Sequence, residues 1–191
     1  MSKVVFDMSM SLDGFATATG QTAEEPMGPG GLKLVEWAFD SDDATSREIL
    51  TRAVGAAGAV IVGRRTYDTS IAWWGDTGPT GDNRLPVFVI THRDTEPYGV
   101  YRFVTGGLES AVAQAKEAAG DKVVAISGAD VGQQLLKAGL VDEISVHVAP
   151  VLFGSGTRLF ADIGDAHISL EPLEVIETPK AAHLRFRVQG R

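Results

Sequence analysis

The segment Gly58-Ala59-Val60-Ile61-Val62-Gly63-Arg64-Arg65-Thr66-Tyr67-Asp68 places the tightest limit on what this chain can fold into. A short β-branched run stops at a glycine, and a helical pattern begins at once. A strand that is apolar along its length is buried on both faces, as in a sheet covered by helices. The residues after it suit a phosphorylated ligand. The glycine lets backbone come close to a ligand. The N–H groups of the first helical turn carry partial positive charge. The arginine fork matches phosphate oxygens. The same residues also make an ordinary strand–turn–helix junction with solvated arginines, and the segment alone does not decide between the two.

The pattern repeats along the chain. Strands at Val4–Ser11, 59–62, 86–91, near Tyr101–Val104, 122–127 and 143–148 alternate with helical runs, which predicts an α/β domain. A short helix is expected over 32–39, carrying Trp37. A second is capped by Asp43, with Ile49, Leu50, Ala53 and Val54 facing the core. Leu108, Ala111, Val112, Ala115 and Ala118 mark an amphipathic helix ending at Gly120, and a further helix carries Leu135 and Leu136. The tail reads as a hairpin of 168–176 with 182–188, in which His183, Arg185 and Arg187 alternate with Leu184, Phe186 and Val188. The glycine-rich stretch 16–31 is long enough to be a lid.

Composition removes several functions. At 191 residues, 44% apolar and 22% charged, the chain is expected to be one soluble domain spanning 1–191. A net charge of −8 is a poor match to nucleic acid or to anionic membranes, so any phosphate must be captured locally. The chain has no cysteine, which excludes disulfides, thiolate catalysis and cysteine-ligated metals. The histidines at 92, 147, 167 and 183 lack metal-ligand spacing, so no metal is expected. No apolar run approaches the ~20 residues of a membrane span. The N-terminus enters a strand directly, and a cytoplasmic protein is the expectation.

Three predicted strand ends carry polar or glycine-rich residues: Gly63-Arg64-Arg65-Thr66, Thr91-His92-Arg93, and Ser127-Gly128-Ala129-Asp130-Val131-Gly132. Ligands of open α/β sheets sit beyond such ends, and three of them together fit a dinucleotide. The third is G-x-x-x-G, and neither the Rossmann fingerprint nor the P-loop lysine is present.

With these segments in place the chain resembles the dihydrofolate reductase-like superfamily, and within it the reductase domain of the bacterial bifunctional riboflavin-biosynthesis protein. The resemblance rests on Ser11-Leu12-Asp13-Gly14, on Val62-Gly63-Arg64-Arg65-Thr66-Tyr67, on Ile126-Ser127-Gly128-Ala129-Asp130-Val131, and on Leu140-Val141-Asp142-Glu143-Ile144 running on to Ala149-Pro150-Val151-Leu152-Phe153-Gly154-Ser155-Gly156. It implies a three-layer fold: a mostly parallel sheet with helices on both faces and an antiparallel C-terminal hairpin. It also implies an NADPH-dependent reductase. Gly63, Arg64, Arg65 and Thr66, with Val62 before them, would bind the cofactor's phosphates. Thr91, His92 and Arg93 would take the 2′-phosphate. Ser127 to Gly132 would cradle the pyrophosphate, and the loop 16–31 would cover the nicotinamide.

The family pattern is broken at one cofactor residue. Dihydrofolate reductases carry a Gly-Gly pair, often with a cis peptide, where this chain has Ser127-Gly128. For catalysis the resemblance offers Asp13, and Glu36 stands second, with Asp40 at the end of the same helix. Asp13-Gly14 equally suits a plain turn. Trp37 and Tyr67 are candidates for the substrate side, though core packing explains both. The expected function is hydride transfer from NADPH to a C=N or C=O of a pterin- or aminopyrimidine-like heterocycle. The rivals are a non-catalytic NADPH-binding protein and a reductase using a deazaflavin. A homodimer is expected, since relatives in this branch pair through the C-terminal part of the sheet.

Overall fold

The structure, a computed structural model, describes residues 2–39, 42–164 and 167–190. Six parallel strands make most of its sheet: β1 (Val4–Ser11), β3 (Ala57–Gly63), β4 (Val87–Ile90), β5 (Tyr101–Val104), β6 (Val123–Ser127) and β7 (Glu143–Ala149). The hairpin β9 (Leu170–Thr178) and β10 (Ala181–Val188) adds to β7 in antiparallel sense, and the sheet order is β5-β4-β3-β6-β1-β7-β10-β9. β1 therefore lies near the centre, with its carboxyl end between those of β6 and β7.

Helices cover both faces because the central strands are apolar on both. On one face α4 (Gly107–Ala119) and α5 (Ala129–Lys137) bury Ala111, Val112, Ala115, Leu135 and Leu136 against Phe6, Ile61, Ile126 and Ile144. On the other, α3 (Arg64–Trp74) packs Tyr67, Ile71 and Trp74 on Val60, Val62, Val87, Val89 and Tyr101. Beside it, α1 (Glu36–Phe39) and α2 (Ala44–Ala56) cover the β1–β7–β10 half through Trp37 and Ile49. The Asp43 carboxylate accepts from the Ser46 N–H at 2.7 Å and starts α2, as its position predicts.

The structure differs from the sequence reading in two places. The stretch 16–31 is not all loop: Phe15–Thr17 forms β2, paired with β8 (Thr157–Arg158). That pairing needs Gly156, whose φ is +145° and where a Cβ would lie 2.0 Å from the Thr17 carbonyl oxygen. The single helix expected over 32–39 is split into a 3-10 turn, Gly31–Leu34, and the one-turn α1. On the polar side of the tail only His183 is buried; Arg185 is half-buried and Arg187 exposed. His183 is 5% exposed under α1 and α2, whereas Leu184, Phe186 and Val188 are only half-buried, and Val175 across from them is 69% exposed. Helices α4 and α5 pack on β3, β4, β5 and β6; Val188 reaches the core they build, and the rest of this apolar strip of the hairpin stays partly exposed.

Candidate active site

Every helix that follows a strand in the parallel sheet starts at the strand's carboxyl edge, and three of these starts have no side-chain cap. The N-cap residues of α3, α4 and α5 are Gly63, Gly106 and Gly128, and none supplies a capping side chain. Their first-turn N–H groups therefore point out of the edge as free donors. Strands β3 and β6 are neighbours, so the starts of α3 and α5 lie side by side.

Gly128 joins the two. Its φ of +120° belongs to glycine, and a Cβ there would lie 2.6 Å from Thr66 Oγ1. No peptide among the described residues is cis, so the bond between Ser127 and Gly128 is trans. Arg65 lies across the same gap, with a guanidinium nitrogen 3.8 Å from the Asp130 carboxylate and another donating to Gln21 Oε1 at 3.0 Å. Gln21 belongs to the loop 18–30, which α3 also holds through the Trp73 indole N–H, donated to the Ala23 carbonyl at 2.8 Å.

Arg64 turns the other way. It donates to Asp68 at 2.7 Å and to Thr95 Oγ1 at 3.1 Å, and its guanidinium lies 5.6 Å from the Tyr67 ring centre and 5.7 Å from that of Phe103. It thus ties α3 to the loop after β4, where Thr91 is buried and His92 and Arg93 are exposed. Thr91 Oγ1 accepts from the Arg93 N–H at 3.0 Å and shapes that turn. The edge therefore brings together Gly63, Arg64, Arg65, Thr66, Ser127, Gly128 and Asp130, with His92 and Arg93 one strand further along. Val62, Ala129 and Val131 turn their side chains into the core. Gly132 is buried against β1, and a Cβ on it would lie 2.1 Å from the Phe6 ring.

Asp13 has a different setting from that of a proton donor. Its carboxylate accepts from the Ser11 hydroxyl at 2.5 Å, from the Phe153 N–H at 3.1 Å and from the Gly154 N–H at 2.7 Å. The Ser11 bond first, and then the two backbone bonds, hold its carboxyl at about 2. It is an anion at neutral pH and pins the loop after β7 to the end of β1. Glu36 is exposed at the start of α1, and Asp40 lies outside the described residues.

Trp37 is 5% exposed, with its indole N–H on Ser9 Oγ at 2.9 Å and its ring against His147 and His183. Tyr67 packs edge-on to Tyr101 and Phe103. Both rings serve the core rather than the edge. A cavity of about 350 Å³ does open there, between the loop 18–30 and the loop after β7, lined by Thr19, Lys33, Leu152, Phe153 and Ser155. The partners Gln21, Thr95 and Ser11 were not foreseen. Each is recognisable only from a contact with a residue distant in sequence or from a buried hydroxyl, and a linear reading carries neither signal.

Comparison with known families settles the lineage. The family model of the RibD C-terminal domain matches residues 2–184. The chain belongs to this family. RibD C-terminal domains are reductase domains, so the protein is an oxidoreductase with the dihydrofolate reductase-like fold. No curated protein matches the sequence. Among solved structures, a protein assigned to riboflavin biosynthesis from Shewanella sp. PV-4 superposes with a TM-score of 0.73 at 23% identity, over 100% of both chains. A pyrimidine reductase-like protein from Corynebacterium diphtheriae gives 0.66 at 17% identity, over 100% of this chain and 93% of the other. The diaminohydroxyphosphoribosylaminopyrimidine deaminase/5-amino-6-(5-phosphoribosylamino)uracil reductase of Thermotoga maritima gives 0.67 at 14% identity, over 98% of this chain and 57% of that one. These likenesses establish the shared fold. No helix among the described residues is long and apolar enough to cross a membrane.

Proposed function

We propose that this RibD-family domain is an NADPH-dependent reductase that delivers a hydride to a C=N or C=O bond of a small aminopyrimidine- or pterin-like heterocycle. The observation that carries this reading is the pair of uncapped helix starts, α3 and α5, meeting at Gly128 and Thr66 where a Cβ has no room. Orphan N–H groups around a glycine-sized gap are a fit for pyrophosphate. The backbone of 63–66 and 127–130, with Thr66 and Arg65, would hold it. A phosphate reaching Arg65 would replace its neutral bond to Gln21 with a charge-assisted one. Arg64, Thr91, His92 and Arg93 would take the 2′-phosphate, with Arg64 already stiffened by Asp68 and Thr95. The side chains of Val62, Ala129 and Val131, together with Gly132, would contribute packing alone.

Bound NADPH supplies the hydride; the chain's own residues position and enclose the substrate. The 350 Å³ cavity beside the Asp13-pinned loop has the size of a small heterocycle site. Asp13 would act there as a positioning residue, since its carboxyl holds no proton to give. That anionic state favours one rival, an NADPH-binding protein without turnover. The exposed apolar strip of β9 and β10 supports a homodimer closed by a two-fold axis.

Calorimetric titration with NADPH and NADH, followed by NADPH oxidation with a panel of aminopyrimidines and pterins, tests the reading. One charge-assisted phosphate contact contributes roughly 1.5–3 kcal/mol, so a preference for NADPH of about tenfold or more is expected. Equal affinities would overturn the cofactor assignment. Tight NADPH binding with no oxidation by any substrate would support the rival.

A further inference from the structure

A hydrogen-bonded line crosses the buried face of the sheet beneath α1. Asp7 Oδ1 meets His147 Nε2 at 3.2 Å, and His147 Nδ1 meets His183 Nδ1 at 2.7 Å. His183 Nε2 then meets Thr178 Oγ1 at 3.0 Å, and the Thr178 hydroxyl reaches the Ala181 carbonyl at 3.0 Å. Both ends of the line are acceptors, a carboxylate and a carbonyl. Its four contacts therefore need four protons. Two neutral imidazoles and one hydroxyl carry three. In the neutral state one contact is always left as lone pair against lone pair. One added proton fills all four contacts and leaves an imidazolium beside the Asp7 anion. A further proton would set two N–H groups head-on at some contact.

Trp37 sits directly on this line. Its ring centre is 4.2 Å from that of His147 and 4.8 Å from that of His183. The 3-10 turn and α1 that carry it follow immediately on the loop 18–30, which lies over the candidate cofactor edge. We propose that the Asp7–His147–His183–Thr178 line holds one shared proton that locks Trp37, and with it the base of that loop, onto the sheet, and that a second proton releases it.

The surrounding charges agree. One imidazolium under an indole is attracted to the ring and is balanced by Asp7. Two imidazoliums with ring centres 4.9 Å apart repel in a buried setting. The other charges facing the cluster are Arg52 of α2, paired with Glu174 of β9, and Arg185 of β10, paired with Glu143, which also holds Lys3 of β1's approach. Asp43 at the start of α2 acts on His183 from further off. Burial, and then the neighbouring His147, push His183 down to about 4, in line with a second proton that the site refuses until the medium is acidic. A cavity of about 100 Å³ between α2 and the sheet, lined by Asp7, His147 and His183, gives water a way to the line.

The test is a side-chain nitrogen NMR titration of the histidines in the whole protein, with the Trp37 indole N–H resonance and amide exchange over 31–39 followed together. The ring nitrogens of His147 and His183 should change together in one common step as the line takes up its shared proton, not in two separate steps. Uptake of the second proton, at lower pH, should coincide with loss of the Trp37 indole signal and of protection over 31–39. Thr178→Val removes the hydroxyl, after which two neutral imidazoles already fill the two remaining contacts. An added proton would then leave a buried N–H without a partner, and the shared midpoint should fall by about one pH unit or more. Two independent titrations near the ordinary histidine value, or a Trp37 signal unchanged when both rings are charged, would overturn the proposal. So would a Thr178→Val midpoint equal to that of the parent; if that variant does not fold, the parent titration decides alone. None of these readouts depends on the cofactor or on turnover.

Discussion

Replacing Gly128 by alanine tests the fold and the cofactor cradle at once. Gly128 has φ +120°, a conformation that costs an L-residue roughly 1–3 kcal/mol. The new Cβ would lie 2.6 Å from Thr66 Oγ1 and 3.5 Å from Thr66 Cβ. Thr66 has a short branched side chain on the first turn of α3, so relief requires the α3 and α5 starts to move apart. We expect a total loss of about 2–3 kcal/mol. At roughly 2–4 °C per kcal/mol for a chain of this length, the melting temperature falls by about 5–10 °C. The same movement displaces the N–H groups assigned to the pyrophosphate, so NADPH affinity, measured by calorimetry well below both melting points, should fall about tenfold or more. Gly58→Ala is the control. Its Cβ would lie 2.8 Å from the Ala119 carbonyl oxygen, at the amino end of β3, far from the edge. It should destabilise comparably and leave affinity unchanged. A Gly128→Ala protein that binds NADPH like the parent, or a Gly58→Ala protein that loses it equally, would refute the cradle.

Three further outcomes are expected. Asp13→Asn should leave NADPH affinity within about twofold yet lower turnover by roughly 10²-fold, because it loosens the loop at Phe153 and Gly154. Its carboxyl is held at about 2, below its ordinary 3.8, so its contribution to stability is complete above the ordinary value and is lost only as pH falls through about 2; the parent's rate profile should show no acidic limb from it between about pH 5 and about pH 8. Val175→Asp, placed on the exposed strip of β9, should convert a dimer seen by light scattering into the 20.2 kDa monomer, and a parent already monomeric at micromolar concentration would contradict the dimer. Burial, and then the neighbouring His147, keep the second proton of the buried histidine line off His183 down to about 4, while the unfolded chain takes that proton up near 6.5. Stability in denaturant should therefore be flat above about 6.5 and fall as pH drops from there toward 4, by at most about 1.4 kcal/mol per pH unit for this one proton.

Much of the fold was legible because its strands are continuous apolar runs and its helices periodic ones. Val60–Val62 with Gly63, and the turn at Ser127-Gly128, announced the two helix starts correctly. The long stretch 16–31 misled because β2 is three residues long and owes its existence to β8, more than a hundred residues away. The tail marks a limit of the sequence. Alternation told which side chains share a face but not which face is covered, and α2 covers the side with His183 and Arg185. At the candidate site, the phosphate-type residues could be read from local pattern. The state of Asp13 could not, because it depends on N–H groups 140 and 141 residues further along the chain. The same is true of Trp37, whose aromatic character suggested a substrate platform until Ser9, His147 and His183 enclosed it.

The most direct measurement for the central claim is isotope transfer. Protein mixed with NADPH deuterated at C4 and with 5-amino-6-(5-phosphoribosylamino)uracil, or a related aminopyrimidine, should give a product one deuterium heavier by mass spectrometry and an equal amount of NADP⁺. Deuterium that stays on a bound, unoxidised cofactor across the substrate panel would contradict the assignment as a reductase.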